Sequence, residues 1–238
     1  MHISMSALCR ASSFGLLLGA VAFYTASASA GTITDTTTFG PFDGTGPGLG
    51  TVFVPAIVTG NPNNDNVVGG ELTDNNIFVP IKRFDHSDYI DIEFLVAPDN
   101  GVTEYKVFES VDNNTGVNWA SYRMELGYGV MGSFTPSTPG DGLDFDTGPP
   151  GGNDTPPTSA AFGSVSRPNE DILVFSGGVH SSGAEAYRVR IDVPNIPTMT
   201  PFFSRFTLRQ TPVPVPEPST LVLLGVALAG AMAYRSRG

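Results

Sequence analysis

The chain has 238 residues, with 23 Asp and Glu against 12 Lys and Arg and a formal net charge of −11. Phosphate recognition needs clustered cations, so this balance argues against nucleic acid or an anionic membrane surface as a partner. A single cysteine, Cys9, excludes an intrachain disulfide framework and Cys-rich metal sites.

At the N-terminus, Arg10 precedes the apolar run from Phe14 to Tyr24, and Ala28 and Ala30 set small residues before Gly31. This is the three-part pattern of a secretory signal peptide, and the apolar run is short for a membrane span. Residues 1–30 are therefore predicted to pass through the export machinery and to be removed by signal peptidase, taking Cys9 with them and leaving Gly31 first. All the acidic residues lie between Gly31 and Glu217, whereas Arg10, Arg235 and Arg237 lie outside. The exported part is thus more acidic than the whole chain. Residues 31–211 are expected to form one domain, long enough to bury a full core without cross-links.

Within that domain the dominant period is two. "TVFVPAIVTG" and "NIFVPIKRF" are β-branched and aromatic runs, and "DYIDIEFLVAPD" sets Ile90, Ile92, Phe94 and Val96 opposite Asp91 and Glu93. "TEYKVFESV" follows, then "WASYRMELGYG", with Tyr122, Met124, Leu126 and Tyr128 on one side, and "DILVFSGGV". "AYRVRIDVP" alternates Tyr187, Val189, Ile191 and Val193 with Arg188, Arg190 and Asp192, and "FFSRFTLRQ" closes the series. Gly, Pro, Asn and Asp bound these runs, and none offers the i, i+3, i+4 apolar spacing of a long helix. An all-β fold is predicted: an antiparallel β-sandwich, with a jelly roll or small barrel as the alternative.

Thr135 to Phe162 interrupts the pattern with a segment dense in Pro, Gly and Asp. Loops of such length are functional or irregular. Asp141, Asp144, Asp146 and Asp154 supply the hard oxygen ligands that Ca²⁺ takes, so a structural calcium is a candidate here, although the spacing is not that of an EF-hand. Solvated turns use the same residues. Trp119, the only tryptophan, is a candidate sugar-stacking residue, with a core or sheet-edge place as the stronger expectation. His86 and His180 are expected at the surface. Asp85, His86 and Ser87 are neighbours in sequence, which puts alternate side chains on opposite faces and makes no catalytic triad. No catalytic residues are assigned.

Residues 212–218 hold alternating prolines, predicted to be an extended spacer. Ser219 to Tyr234 carries no charge, and Arg235 and Arg237 follow. Sixteen helical residues reach about 24 Å against a hydrocarbon core of about 30 Å, so residues 219–238 suit a transient transmembrane stop with the arginines on the cytoplasmic side. "VPEPSTLVLLGVALAGAMAYRSRG" resembles the PEP-CTERM sorting tail of Gram-negative, exopolysaccharide-producing bacteria: Pro216, Glu217 and Pro218, then an apolar helix, then Arg235 and Arg237. The resemblance implies recognition by exosortase, an inner-membrane intermediate, and release to or attachment at the cell surface, with exopolysaccharide as a neighbour. The body, through "FESVDNNTGVNWASYRMELGYG" and "FTLRQTPVPVPEP", is also similar to the choice-of-anchor group of bacterial surface proteins, in particular its F-type family.

The reading that follows is an exported, non-enzymatic surface or matrix protein. A carbohydrate-binding module assisted by calcium is the second reading, and a secreted glycan hydrolase the third.

Overall fold

A computed structural model of the chain describes residues 31–60, 75–98, 103–146, 156–194, 205–216, 223–228 and 235. The strands are β1 (Gly31–Thr36), β2 (Leu49–Phe53), β3 (Ala56–Val58), β4 (Asn76–Phe84), β5 (Ile90–Pro98), β6 (Thr103–Asn113), β7 (Trp119–Tyr128), β8 (Thr135–Pro136), β9 (Thr158–Ser159), β10 (Phe162–Asn169), β11 (Ile172–Gly178), β12 (Gly183–Val193) and β13 (Arg205–Pro214). They form two sheets. One runs β1-β5-β13-β7-β11-β10 with β8 beside β7, and the other runs β2-β4-β6-β12-β9 with β3 beside β4.

The sheets pack face to face through the residues whose period-two spacing marks them in the sequence. Ile90, Ile92, Phe94 and Val96 from β5, Tyr122, Met124 and Leu126 from β7, and Tyr187, Val189, Ile191 and Val193 from β12 are all buried in one core. Aromatic rings join the layers: Phe84 meets Trp119 edge to face, and Tyr122 meets Tyr187 at 4.9 Å between centroids. Such contacts add to the area each ring removes from water.

The sandwich is not wholly antiparallel, because β4 and β6 pair in parallel. Between them the chain crosses to the other sheet and returns as β5, so the two strands re-enter the same sheet in the same direction. The polar side of β5 is also less exposed than alternation alone implies. Asp91 and Glu93 on β5 are buried, since Arg209 and Arg205 from the neighbouring β13 lie over them.

Strand β4 carries a bulge between Val79 and Lys82, at Pro80. Ile77 and Val79 face the core, and strict alternation would put Ile81 there next. The bulge turns Ile81 outward, 50 % exposed, and buries Lys82 completely. Bulges re-aim side chains in this way, and a strand proline without an N–H favours one.

The long Pro/Gly/Asp segment is partly sheet edge. Thr135–Pro136 pairs with β7, Asp144 and Asp146 donate their N–H groups to Asp192 and Arg190 of β12, and Thr158–Ser159 pairs with β12 further along. Leu143 and Phe145 plug into the core from this edge.

The spacer expected from Pro212 begins later than its proline pattern suggests. Strand β13 remains paired to β7 through Pro214, opposite Trp119, whereas its pairing to β5 ends at Gln210. Pro212 and Pro214 thus sit where one edge of β13 has no described neighbour, the place a sheet tolerates proline. Residues 223–228 are helical and exposed, and among the described residues no helix is long and apolar enough to cross a membrane.

Candidate functional site

The first candidate region is the junction between the sandwich and the tail. After Pro214 the described backbone bonds to the body through the Val215 N–H, which donates to Asn118 O at 2.7 Å, and Pro216 is then exposed. Arg235 is exposed. Glu217, Pro218 and Arg237 lie outside the described residues, as do Ala28 and Ala30; Gly31 opens β1, buried opposite Pro98.

The second region is the Asp-rich edge. Asp141 folds its own turn: Oδ2 accepts from the Tyr128 and Ser137 hydroxyls and the Thr138 N–H, and Oδ1 accepts from the Leu143 N–H. Asp144 pairs with Arg167 at 3.4 Å, and burial pushes its carboxyl up to about 6. Asp154 lies outside the described residues. Asp146 is grouped instead with Glu104 and Asp192, all three buried and with ligand atoms within 4.8 Å of one another. Cross-strand register makes this cluster, because Asp192 stands directly opposite Glu104 and Asp146 N–H bonds to Arg190 O beside them. The oxygens suit a hard cation, and the Arg190 guanidinium, 2.7 Å from Glu104, already supplies positive charge there. Glu104 and Asp192 belong to different runs of the sequence, and only the register brings them together.

Trp119 and His180 are core residues. Trp119 is fully buried, stacked on Tyr122 at 5.8 Å, with its indole N–H bonded to Thr115 Oγ1. No sugar can reach its face without opening the sandwich. His86 is exposed, but His180 is buried, which corrects the expectation of two surface histidines. The turn that holds it presents Gly183 O to Nε2 and Tyr187 to Nδ1, both at 3.0 Å, and burial lowers its pKa.

A third cluster lies between the sheets and was not foreseen from the sequence. Lys82 Nζ donates to Glu109 Oε1 at 2.5 Å and also contacts Gln210 Oε1. Gln210 Nε2 donates to the other Glu109 oxygen at 2.7 Å. All three residues are buried, and the rings of Phe84, Tyr122 and Tyr187 are core neighbours from the same strands and their partners. The only trace in the sequence is Pro80 inside a strand pattern, two residues before Lys82.

With that geometry in place, the comparisons bear on the tail alone. Residues 214–237 match the model of the PEP-CTERM protein-sorting motif. The motif begins at the last residue of β13 and implies exosortase-dependent sorting of an exported chain to a cell-surface or secreted destination. No curated protein and no solved structure matches the chain.

Proposed function

We propose that this protein is an exported, non-enzymatic surface or matrix component, processed by exosortase through its C-terminal motif and residing beside exopolysaccharide or the cell envelope. The observation that supports this reading is the junction. The sorting motif starts at Pro214, where the last strand ends. Removal of everything beyond Glu217 would take no described strand from the sandwich. Replacing Pro216, Glu217 and Pro218 together by Ala in the native host tests it. The account expects a folded body that is retained at the membrane with its tail, while the unaltered chain reaches the surface or medium. Equal surface delivery of both would refute it.

A second reading, contact with an acidic glycan, is favoured by the outer face of the sheet that holds β6 and β12 rather than by Trp119. Arg188, Phe108 and Phe78 occupy one cross-strand row, with the two rings stacked at 5.5 Å and the guanidinium 5.6 Å from the Phe108 centroid. Lys106, Phe108 and Arg188 line an open groove of about 180 Å³. Retention on the producer's own polysaccharide that is lost in Phe108→Ala but kept in Trp119→Phe would support this reading, and no retention would remove it.

A further inference from the structure

The fold takes trouble to bury a lysine. At Pro80 the β4 bulge exposes Ile81 and points Lys82 into the space between the sheets, where its amine meets a carboxylate on β6 and a carboxamide on β13. Desolvation of the two ions in such a place roughly cancels their attraction, so stability alone does not account for it. Lys82 Nζ, Gln210 Oε1 and both oxygens of Glu109 form a closed triangle in which the carboxylate bonds the amine through Oε1 and the amide nitrogen through Oε2. The three parts of an acyl transfer are all present: an amine, a carbonyl in contact with it, and one carboxylate reaching both the attacking and the departing nitrogen.

We infer that Lys82 and Gln210 join in an intramolecular isopeptide bond, formed within the folded chain with Glu109 as the proton carrier. Nζ attacks Cδ of Gln210, and the Nζ–Cδ bond forms as the Cδ–Nε2 bond breaks. Of the two protons the ammonium sheds, one passes through Glu109 to Nε2, which leaves as ammonia. The other stays on Glu109. A buried charged pair is thereby replaced by a neutral amide and a neutral carboxyl, with no oxidant or cofactor required. Burial lowers the pKa of Lys82 against the opposing pull of Glu109, which favours the neutral, nucleophilic amine. Tyr122, whose buried hydroxyl has no hydrogen-bond partner among the described residues, is held strongly protonated by burial and then by the Glu109 charge. The site therefore contains no competing phenolate.

The position of the bond gives it a purpose. Gln210 lies on β13, four residues before the sorting motif, and Lys82 lies on the opposite sheet. A link between them fastens the strand that leads into the tail to the other half of the sandwich, in a body with no cysteine for a disulfide. The inference does not depend on exosortase processing and stands or falls separately from it.

The test is a protease digest of the folded full-length chain, read by tandem mass spectrometry. The expected result is a branched species joining the peptide with Lys82 to the peptide with Gln210, about 17 Da below the sum of the two because ammonia has left, with no tryptic cleavage after Lys82. Glu109→Gln, which keeps the shape of the side chain, should abolish the branch; Lys82→Met should do the same, and circular dichroism shows whether each variant retains its strands. Separate, unmodified Lys82 and Gln210 peptides from the folded wild-type chain would overturn the inference. So would a branch at Glu109 with loss of water, about 18 Da, which would make the carboxylate the acceptor and not the proton carrier.

Discussion

Phe84 on β4 and Trp119 on β7 meet edge to face across the two sheets, their ring centroids 5.2 Å apart and both side chains fully buried. The contact makes Trp119 part of the joint between the layers. Trp119→Ala should therefore cost about 3–5 kcal/mol, the usual range for deleting a large core aromatic. Urea denaturation measures this as a lower midpoint. The native indole emission should be blue-shifted and indifferent to added glycans; quenching by a sugar would contradict the placement.

Arg209 is held on all sides. Its Nε and Nη2 donate to the two oxygens of Asp91 at 2.7 and 2.8 Å, and its guanidinium lies 3.9 Å from the ring centroids of both Tyr89 and Phe134. Arg209→Met leaves the buried Asp91 carboxylate, still bonded by the Met131 N–H, without its counter-ion and should cost about 3–5 kcal/mol. Arg209→Lys should recover little of that, since an ammonium cannot reproduce the fork or the stacking. A lysine variant with wild-type stability in urea would show that charge alone suffices.

The acidic edge gives stability an unusual pH dependence. Burial, then the neighbouring Asp141 and Glu170, hold Asp171 up to about 6, and burial likewise lifts Asp144 to about 6 against the pull of Arg167. With folded values above the unfolded 3.8, the folded chain binds the extra protons between these limits. These two groups therefore favour folding most at pH values below the unfolded pKa, and that contribution is lost as pH rises through about 6. Asp171→Asn should raise the melting temperature at pH 7, with the gain shrinking as pH falls to about 4. A gain independent of pH would point to packing instead.

His180 carries the opposite sign. Burial holds its folded pKa below 6.5, so the unfolded chain takes up a proton first as pH drops. Its contribution is complete above 6.5 and is lost as pH falls through the folded value. An NMR titration should place the His180 midpoint below 6.5, and a midpoint above that value would contradict the buried, neutral imidazole.

Much of the fold is legible in residue alternation. Ile90, Ile92, Phe94 and Val96 have to share a face in any strand, and that face has to be buried. Alternation is silent where the backbone departs from it. In "NIFVPIKRF" Pro80 alone hints at a bulge, and nothing there says that it reverses the fates of Ile81 and Lys82. The parallel pairing of β4 with β6 was equally hidden, because it depends on β5 crossing to the other sheet. The Glu104, Asp146 and Asp192 cluster and the Lys82, Glu109 and Gln210 cluster both arise from residues far apart in sequence, joined only by register and sheet packing. The tail was legible for the contrary reason: its motif is local and contiguous, residues 214–237.

The measurement that bears most directly on the central claim is the intact mass and C-terminal peptide map of the protein recovered from the native cell's surface and medium. The account predicts a chain that begins at Gly31 and stops near Glu217 or Pro218, with the sandwich complete through β13. Recovery of the peptide from Leu221 to Tyr234 still attached to the surface form would contradict it and make the protein a membrane-tethered domain.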